Sequence, residues 1–175
     1  MRPGLEYGSP IWSPFLKADI DKIENVQRSF TRRIPGFRYF DQNREAENYL
    51  ERLNALNVQS LEERRLIADL VLVHKMVYGY INLDSNKFFE LEKQSQNVGM
   101  RTRGHPLKLS PLNPSGPDYR NIDCRKFFFS NRIYRQWNNL PALIVLEPDP
   151  TKFNRVLTEY FKQNHPTFRG RAFTV

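Results

Sequence analysis

Apolar residues recur along this chain mostly at three- and four-residue steps, the spacing of one helix face. Leu16, Ile20, Ile23, Phe30 and Ile34 form the first such stripe, and the spacing predicts an amphipathic helix from Pro14 to Ile34. Ser13-Pro14 supplies a serine cap with proline at the first helical position, and Pro35-Gly36 stops it. Gln27 interrupts the stripe, and Val26 beside it is expected to fill the gap. After an exposed turn over residues 37 to 43, Tyr49, Leu50, Leu53 and Leu56 mark a second, shorter helix. Ser60-Leu61-Glu62-Glu63 reads as a capping box, with the serine bonding forward and Glu63 reaching back. The helix that follows carries Leu66, Ile67, Leu70, Val71, Leu72, Val73, Met76 and Val77, apolar around most of its circumference, so it belongs in the centre of a bundle. Gly79 is its expected terminator.

The pattern changes at residues 90 to 118, where Gly99, Gly104, Pro106, Pro111, Pro114 and Pro117 punctuate a polar stretch. This predicts a linker with one short strand over Pro106 to Leu109. Helical spacing returns in Phe127, Phe128, Ile133, Tyr134 and Trp137, and Leu140-Pro141 ends it. The run from Ala142 to Leu146 fits a helix or a strand. Asp149-Pro150 opens a last helix whose Phe153, Val156, Leu157, Tyr160 and Phe161 share a side. The expected fold is therefore mainly α: a helical thumb-like domain over 1–89, the linker 90–118, a small helical subdomain over 119–164 and a flexible tail 165–175.

Charge adds a direction. The 175 residues carry a formal net charge of +8. Arg101, Arg103, Lys108, Arg120, Arg125, Lys126, Arg132 and Arg135 stand against only Asp118 and Asp123 between positions 101 and 135. Tyr119, Phe127, Phe128, Phe129, Tyr134 and Trp137 are interleaved with or adjoin these cations. Clustered cations neutralise phosphates and release counterions, and flat rings offer stacking surfaces to unpaired bases. A solvated basic face beside a small aromatic core would give the same pattern, since the Phe127-Phe128-Phe129 run must bury at least two rings. Trp137 itself reads as an anchor of that core before it reads as a base-stacking residue. Arg28, Arg32 and Arg33 sit where the negative end of the first helix's dipole favours cations, with or without a phosphate to bind.

Catalytic constellations do not assemble. The eight glycines never take the spacing that cradles a pyrophosphate, and no Gly-x-Ser-x-Gly elbow occurs. Cys124 is the single cysteine, flanked by Arg125 and Lys126, with neither His74 nor His105 marked as its base. His74 reads as a hydrogen-bonded core histidine. Glu147-Pro148-Asp149 with Lys152 has the residue types of a metal-dependent nuclease, but the same residues serve as a helix start. Two-metal phosphoryl transfer needs carboxylates holding ions about 4 Å apart, and no adjacent Asp-Asp pair occurs. No apolar run reaches the roughly 18 residues that span a bilayer, and the first residues lack the pattern of a secretory signal. The expectation is an intracellular protein of cytoplasm or nucleus, not secreted, with no membrane partner.

The order of several segments is familiar. Leu5-Glu6-Tyr7-Gly8-Ser9-Pro10-Ile11-Trp12-Ser13-Pro14, then Asp21-Lys22-Ile23-Glu24-Asn25-Val26-Gln27-Arg28 and Thr31-Arg32-Arg33-Ile34-Pro35-Gly36, come first. Glu51-Arg52-Leu53, Ser60-Leu61-Glu62-Glu63-Arg64-Arg65 and Asp69-Leu70 follow, then Thr102-Arg103-Gly104-His105, Phe128-Phe129-Ser130-Asn131-Arg132 and Trp137-Asn138-Asn139-Leu140-Pro141. This succession resembles the region after the palm in reverse transcriptases of non-LTR (LINE-type, jockey-like) retrotransposons, and it covers nearly the whole chain.

The resemblance implies a helical thumb followed by a C-terminal extension of an RNA-directed DNA polymerase, binding RNA, DNA or an RNA–DNA hybrid through phosphates and sugars. It makes the helix from Pro14 to Ile34 duplex-facing, with Lys17, Lys22, Arg28, Arg32 and Arg33 as phosphate contacts. The basic aromatic segment would hold template RNA or target DNA. The fingers and palm, with the Asp-Asp motif, are missing. The chain would therefore have no catalytic residues, metal site or cofactor of its own. Magnesium would belong to the absent palm, and the absent fingers and palm are themselves candidate partners. The alternative is a helical protein-interaction module docking through the apolar helix from Leu61 to Tyr78, or a remnant of such an element with no enzymatic role.

Overall fold

A computed structural model describes residues 2–35, 45–91, 104–111 and 123–164, except the side chains of Arg2, residues 45–48, Pro111, Cys124 and Arg125. The fold is mainly α, with one two-stranded sheet among the described residues. In chain order the elements are α1 (Arg2–Glu6), α2 (Ser9–Trp12), α3 (Lys17–Arg32), α4 (Glu45–Ala55), α5 (Leu61–Val77), β1 (Phe89–Leu91), β2 (Leu109–Pro111), α6 (Asp123–Lys126), α7 (Phe129–Asn138), α8 (Ala142–Val145) and α9 (Pro150–Gln163). They form two compact units, residues 1–66 and 67–175, and α5 runs through the boundary.

The units differ in how they are filled. In the first, the buried apolar side chains are few, namely Tyr49, Leu53 and Leu61, and they share the interior with Ser9, Glu24, Gln27, Thr31, Arg52, Glu63 and Arg65. Burial at this polar density is tolerable only with hydrogen bonding. Helix α3 accordingly turns Glu24, Gln27 and Thr31 inward, residues that share a face at three- and four-residue steps. Glu24 accepts the Tyr49 hydroxyl from α4 and the Leu61 amide at the start of α5, the latter at 3.1 and 3.2 Å. Gln27 donates to the Tyr49 hydroxyl at 3.2 Å and to the Gln59 carbonyl at 2.9 Å. The expected capping box forms, with the Glu63 amide donating to Ser60 Oγ at 3.2 Å and the Ser60 amide to Glu63 Oε2 at 3.3 Å. Glu6 of α1 is held by the Arg64 guanidinium through both carboxylate oxygens.

The expected apolar stripe of the first long helix does not form the buried face. Leu16, Val26 and Phe30 are exposed, Phe30 by 62%, and Gln27 takes the interior place that the stripe assigned to its neighbours. The physical reason is Tyr49 and Gln59, which offer polar partners that a leucine could not satisfy. The helix also begins later than expected, at Lys17 with Leu16 as N-cap and no side-chain capping bond. A serine-proline start is found one segment earlier, at Ser9-Pro10 in α2.

The second unit has an apolar core: Ile67, Leu70, Val73 and Met76 of α5, Phe89, Leu109, Phe129, Ile133 and Trp137, then Leu140, Ile144 and Val145, and Phe153, Leu157 and Phe161 of α9. Gly79, at a φ of +70°, ends α5 in the left-handed conformation that glycine adopts without penalty. Asp149 caps α9 through the Thr151 amide at 2.8 Å. Strands β1 and β2 pair antiparallel, with Glu90 opposite Ser110. Asn138 at the end of α7 clasps β2, accepting from the Leu109 amide at 2.9 Å and donating to its carbonyl at 2.8 Å. Part of the expected linker is thus packed structure, because 104–109 also supplies His105 and the Leu107 carbonyl to α7. The undecided run at Ala142 is helical. The segment whose helical spacing runs from Phe127 to Trp137 is not one helix, because the chain breaks at Phe127-Phe128 between α6 and α7. The exposed turn at 37–43, most of the linker and the tail from 165 lie outside the described residues.

Candidate nucleic-acid interface

Helix α3 places its cations by the 3.6-residue period, not in one stripe. Lys17, Arg28 and Arg32 fall on one side, while Lys22 and Arg33 fall on another. Lys17 and Arg33 are exposed. Lys22 is exposed and pairs with Asp19 at 3.1 Å. Arg28 is half-buried: it donates to Asn25 at 3.0 Å, faces Asp21 at 3.6 Å, and lies 5.1 Å from the centre of the Tyr49 ring. Arg32 is half-buried in the last turn.

In the second unit the basic aromatic segment is sorted by burial. Lys126 is exposed, its ammonium 5.3 Å from the Phe127 ring centre. Arg135 is exposed, bonding the Tyr134 hydroxyl at 2.9 Å and lying over that ring. Lys108 is half-buried. Arg132 turns inward instead. Its Nε donates to Asp69 Oδ2 at 3.0 Å and its Nη2 to Oδ1 at 3.2 Å, a fork across both oxygens, and the two side chains are only 8% and 5% exposed. Buried and matched in charge by Asp69, Arg132 is withdrawn from the candidate surface. Arg101, Arg103 and Arg120 lie outside the described residues, as does the Arg125 side chain.

Trp137 is fully buried and donates to the Leu107 carbonyl at 2.7 Å, so its ring is closed to bases. Of the three consecutive phenylalanines, Phe129 is buried, Phe127 half-buried and Phe128 51% exposed. The exposed ring and its neighbour Phe88 were not legible as a site. The available signal was that three adjacent residues cannot all face inward from one helix turn. Arg52 also gave no sign of its place in the sequence: it is 1% exposed, with its guanidinium 5.8 Å from the Tyr49 ring centre and no hydrogen-bond partner among the described residues. The Tyr49 hydroxyl is pushed well above its ordinary pKa, by burial first and then by the Glu24 carboxylate. The cluster of Glu24, Gln27, Tyr49 and Arg52 braces α3 from inside, with Tyr49 held in its neutral form.

Both described core histidines are structural. His74 Nε2 contacts the Glu147 carbonyl at 2.7 Å, and His105 Nε2 contacts the Trp137 carbonyl at 3.0 Å. A carbonyl only accepts, so Nε2 carries the proton in each neutral ring. Burial holds both imidazoles below their ordinary pKa, against the smaller opposing pull of those carbonyls. As the pH falls through about 6.5 the unfolded chain takes up protons that the folded protein refuses. Stability is thus full above that pH and declines below it. The expected result is a thermal midpoint lower at about pH 5 than at about pH 7.5, with a smaller difference in His74→Phe, read by circular dichroism. An unchanged difference in that variant would show that His74 takes up its proton as readily in the folded protein as in the unfolded chain.

Among the described residues, no group of three or more His, Cys, Asp or Glu side chains is arranged to hold a metal ion, and no helix is long and apolar enough to cross a membrane. No protein-family model matches the chain, and neither curated proteins nor solved structures gave a significant match.

Proposed function

We propose that this chain is a thumb and C-terminal extension of a LINE-type RNA-directed DNA polymerase, acting as a sequence-tolerant grip on RNA, DNA or an RNA–DNA hybrid, with no catalytic centre of its own. The observation that carries this reading is the ordered succession of short motifs from Leu5 to Pro141. Supporting it are the mainly helical fold and the solvent-exposed cations Lys17, Lys22, Arg33, Lys126 and Arg135. A polymerase must hold every sequence it copies, so contacts to phosphates suit it better than contacts to base edges. Catalysis, with its magnesium ions, would come from a palm, and the setting would be intracellular.

The test is salt. Affinity for an RNA–DNA hybrid should fall steeply between low and physiological ionic strength. The triple variant Lys17→Gln, Lys22→Gln, Arg33→Gln should weaken all sequences alike and flatten the slope by about one unit for each phosphate no longer neutralised. Binding that ignores salt, or none at micromolar protein, would refute the reading.

A second reading, a protein-interaction module, is favoured by one observation. Leu16, Val26 and Phe30 lie exposed on or beside α3, as do Tyr7, Ile11 and Trp12 before it. A docking surface on the first unit would lie there, and not on α5, whose Leu61, Ile67, Leu70, Val73 and Met76 are buried.

A further inference from the structure

Phe128 and Phe88 form a parallel pair at the surface of the second unit. Their ring centres are 6.4 Å apart and their planes differ by 4°. Phe128 leaves half its surface open, between half-buried Phe127 and buried Phe129. The pair is braced from below. Phe129 meets Phe88 edge-on at 87°, and meets Phe89 at 66°. The Arg132 guanidinium lies 5.5 Å from the Phe129 ring centre and is itself fixed by the Asp69 carboxylate. A ring presented in this way loses little conformational freedom when something flat stacks on it. Exposed Lys87 stands one residue before Phe88, and exposed Lys126 stands two before Phe128 with its ammonium over the Phe127 ring. Exposed Glu90 and Asp123 match them in number, and the surplus positive charge is that of the chain as a whole, +8.

We infer that Phe128, supported by Phe88, is a stacking platform for an unpaired base of a single-stranded RNA or DNA whose phosphates lie against Lys87 and Lys126. This rests on the nucleic-acid reading above and narrows it. Bases inside a duplex have both faces covered by neighbours, so an exposed ring gains only from an unpaired base. The chain's formal net charge of +8 favours a polyanion over an uncharged aromatic partner, with Lys87 and Lys126 the exposed cations nearest the pair in sequence. Nothing in the arrangement reads a base edge, so the platform accepts any base.

The decisive comparison uses a short oligothymidine, a short oligouridine, an abasic strand of equal length and an RNA–DNA hybrid duplex, with the full chain and its Phe128→Ser variant. Serine is a good N-cap at the start of α7, where Phe128 makes no side-chain capping bond, so the cap offsets part of the lost ring contact, and an unchanged circular dichroism spectrum and thermal midpoint separate loss of the ring from loss of the fold. Wild-type protein should bind the base-bearing strands about tenfold more tightly than the abasic strand, and Phe128→Ser should bind all three strands equally. Binding to the hybrid should not change, and Phe128→Trp should restore the preference for bases. If oligothymidine and oligouridine differ, the arm with the larger loss identifies the natural strand. If wild type binds strands and duplex but Phe128→Ser leaves the base preference intact, the platform is overturned while the functional reading stands. If wild type binds none of the four probes, both fall. A wild-type dimer in sedimentation that Phe128→Ser dissolves would assign the face to a second copy of this chain and also overturn the platform.

Discussion

Trp137→Ala is expected to lower the unfolding free energy by about 3–5 kcal/mol, the cost of emptying a large aromatic site that cannot collapse. The side chain is fully buried, lies 6.1 Å from Phe153, meets His105 edge-on at 5.9 Å, and donates to the Leu107 carbonyl. It joins α7 and α9 to the 104–109 segment, so its loss removes packing and also strands a buried acceptor. Trp137→Phe separates the two effects: it keeps most of the volume and loses mainly the hydrogen bond, at about 1–2 kcal/mol. Urea unfolding of the three proteins, followed by far-ultraviolet circular dichroism, is the measurement. A loss below about 1 kcal/mol in Trp137→Ala would mean the ring is not in the core.

Asp69→Ala and Arg132→Ala should each cost about 3–5 kcal/mol, because either change leaves one buried charge without its partner. The pair spans α5 and α7 within the second unit, and its fork geometry satisfies both oxygens. The double variant Asp69→Leu, Arg132→Met should recover much of the loss, since an apolar pair in the same volume avoids desolvating two ions. A double variant as unstable as the sum of the singles would show that the pair is solvated. The same experiment bears on the interface. On the proposed nucleic-acid reading, neutralising Arg132 should reduce binding only as far as it unfolds the second unit or loosens Phe129, and it should leave the salt slope unchanged. Lys126→Gln should do the reverse.

Local signals carried the element boundaries well where the chain satisfies itself within one turn. The Ser60–Glu63 box, the Gly79 terminator and the Asp149-Pro150 start are each built from neighbouring residues, and each forms. The resemblance to non-LTR reverse transcriptases likewise rests on sequence order alone. Burial was another matter. The stripe on α3 is apolar in sequence, yet Gln27 and Glu24 face inward because Tyr49, Gln59 and the Leu61 amide, 22 to 37 residues away, receive them. Arg132 looks like any other cation in a basic run until Asp69, 63 residues earlier, is placed beside it.

The sequence by itself determined that the protein is mainly helical, where α5 starts and stops, where α9 starts, and how much charge it carries, since these follow from bonds and periodicities within a few residues. Only the tertiary structure decided which cations reach solvent where a phosphate could meet them, which of the three adjacent phenylalanines is exposed, and that Glu24 and Gln27 face inward. Those outcomes depend on partners distant in the chain, and a side chain's exposure is set by what packs over it and not by its own chemistry.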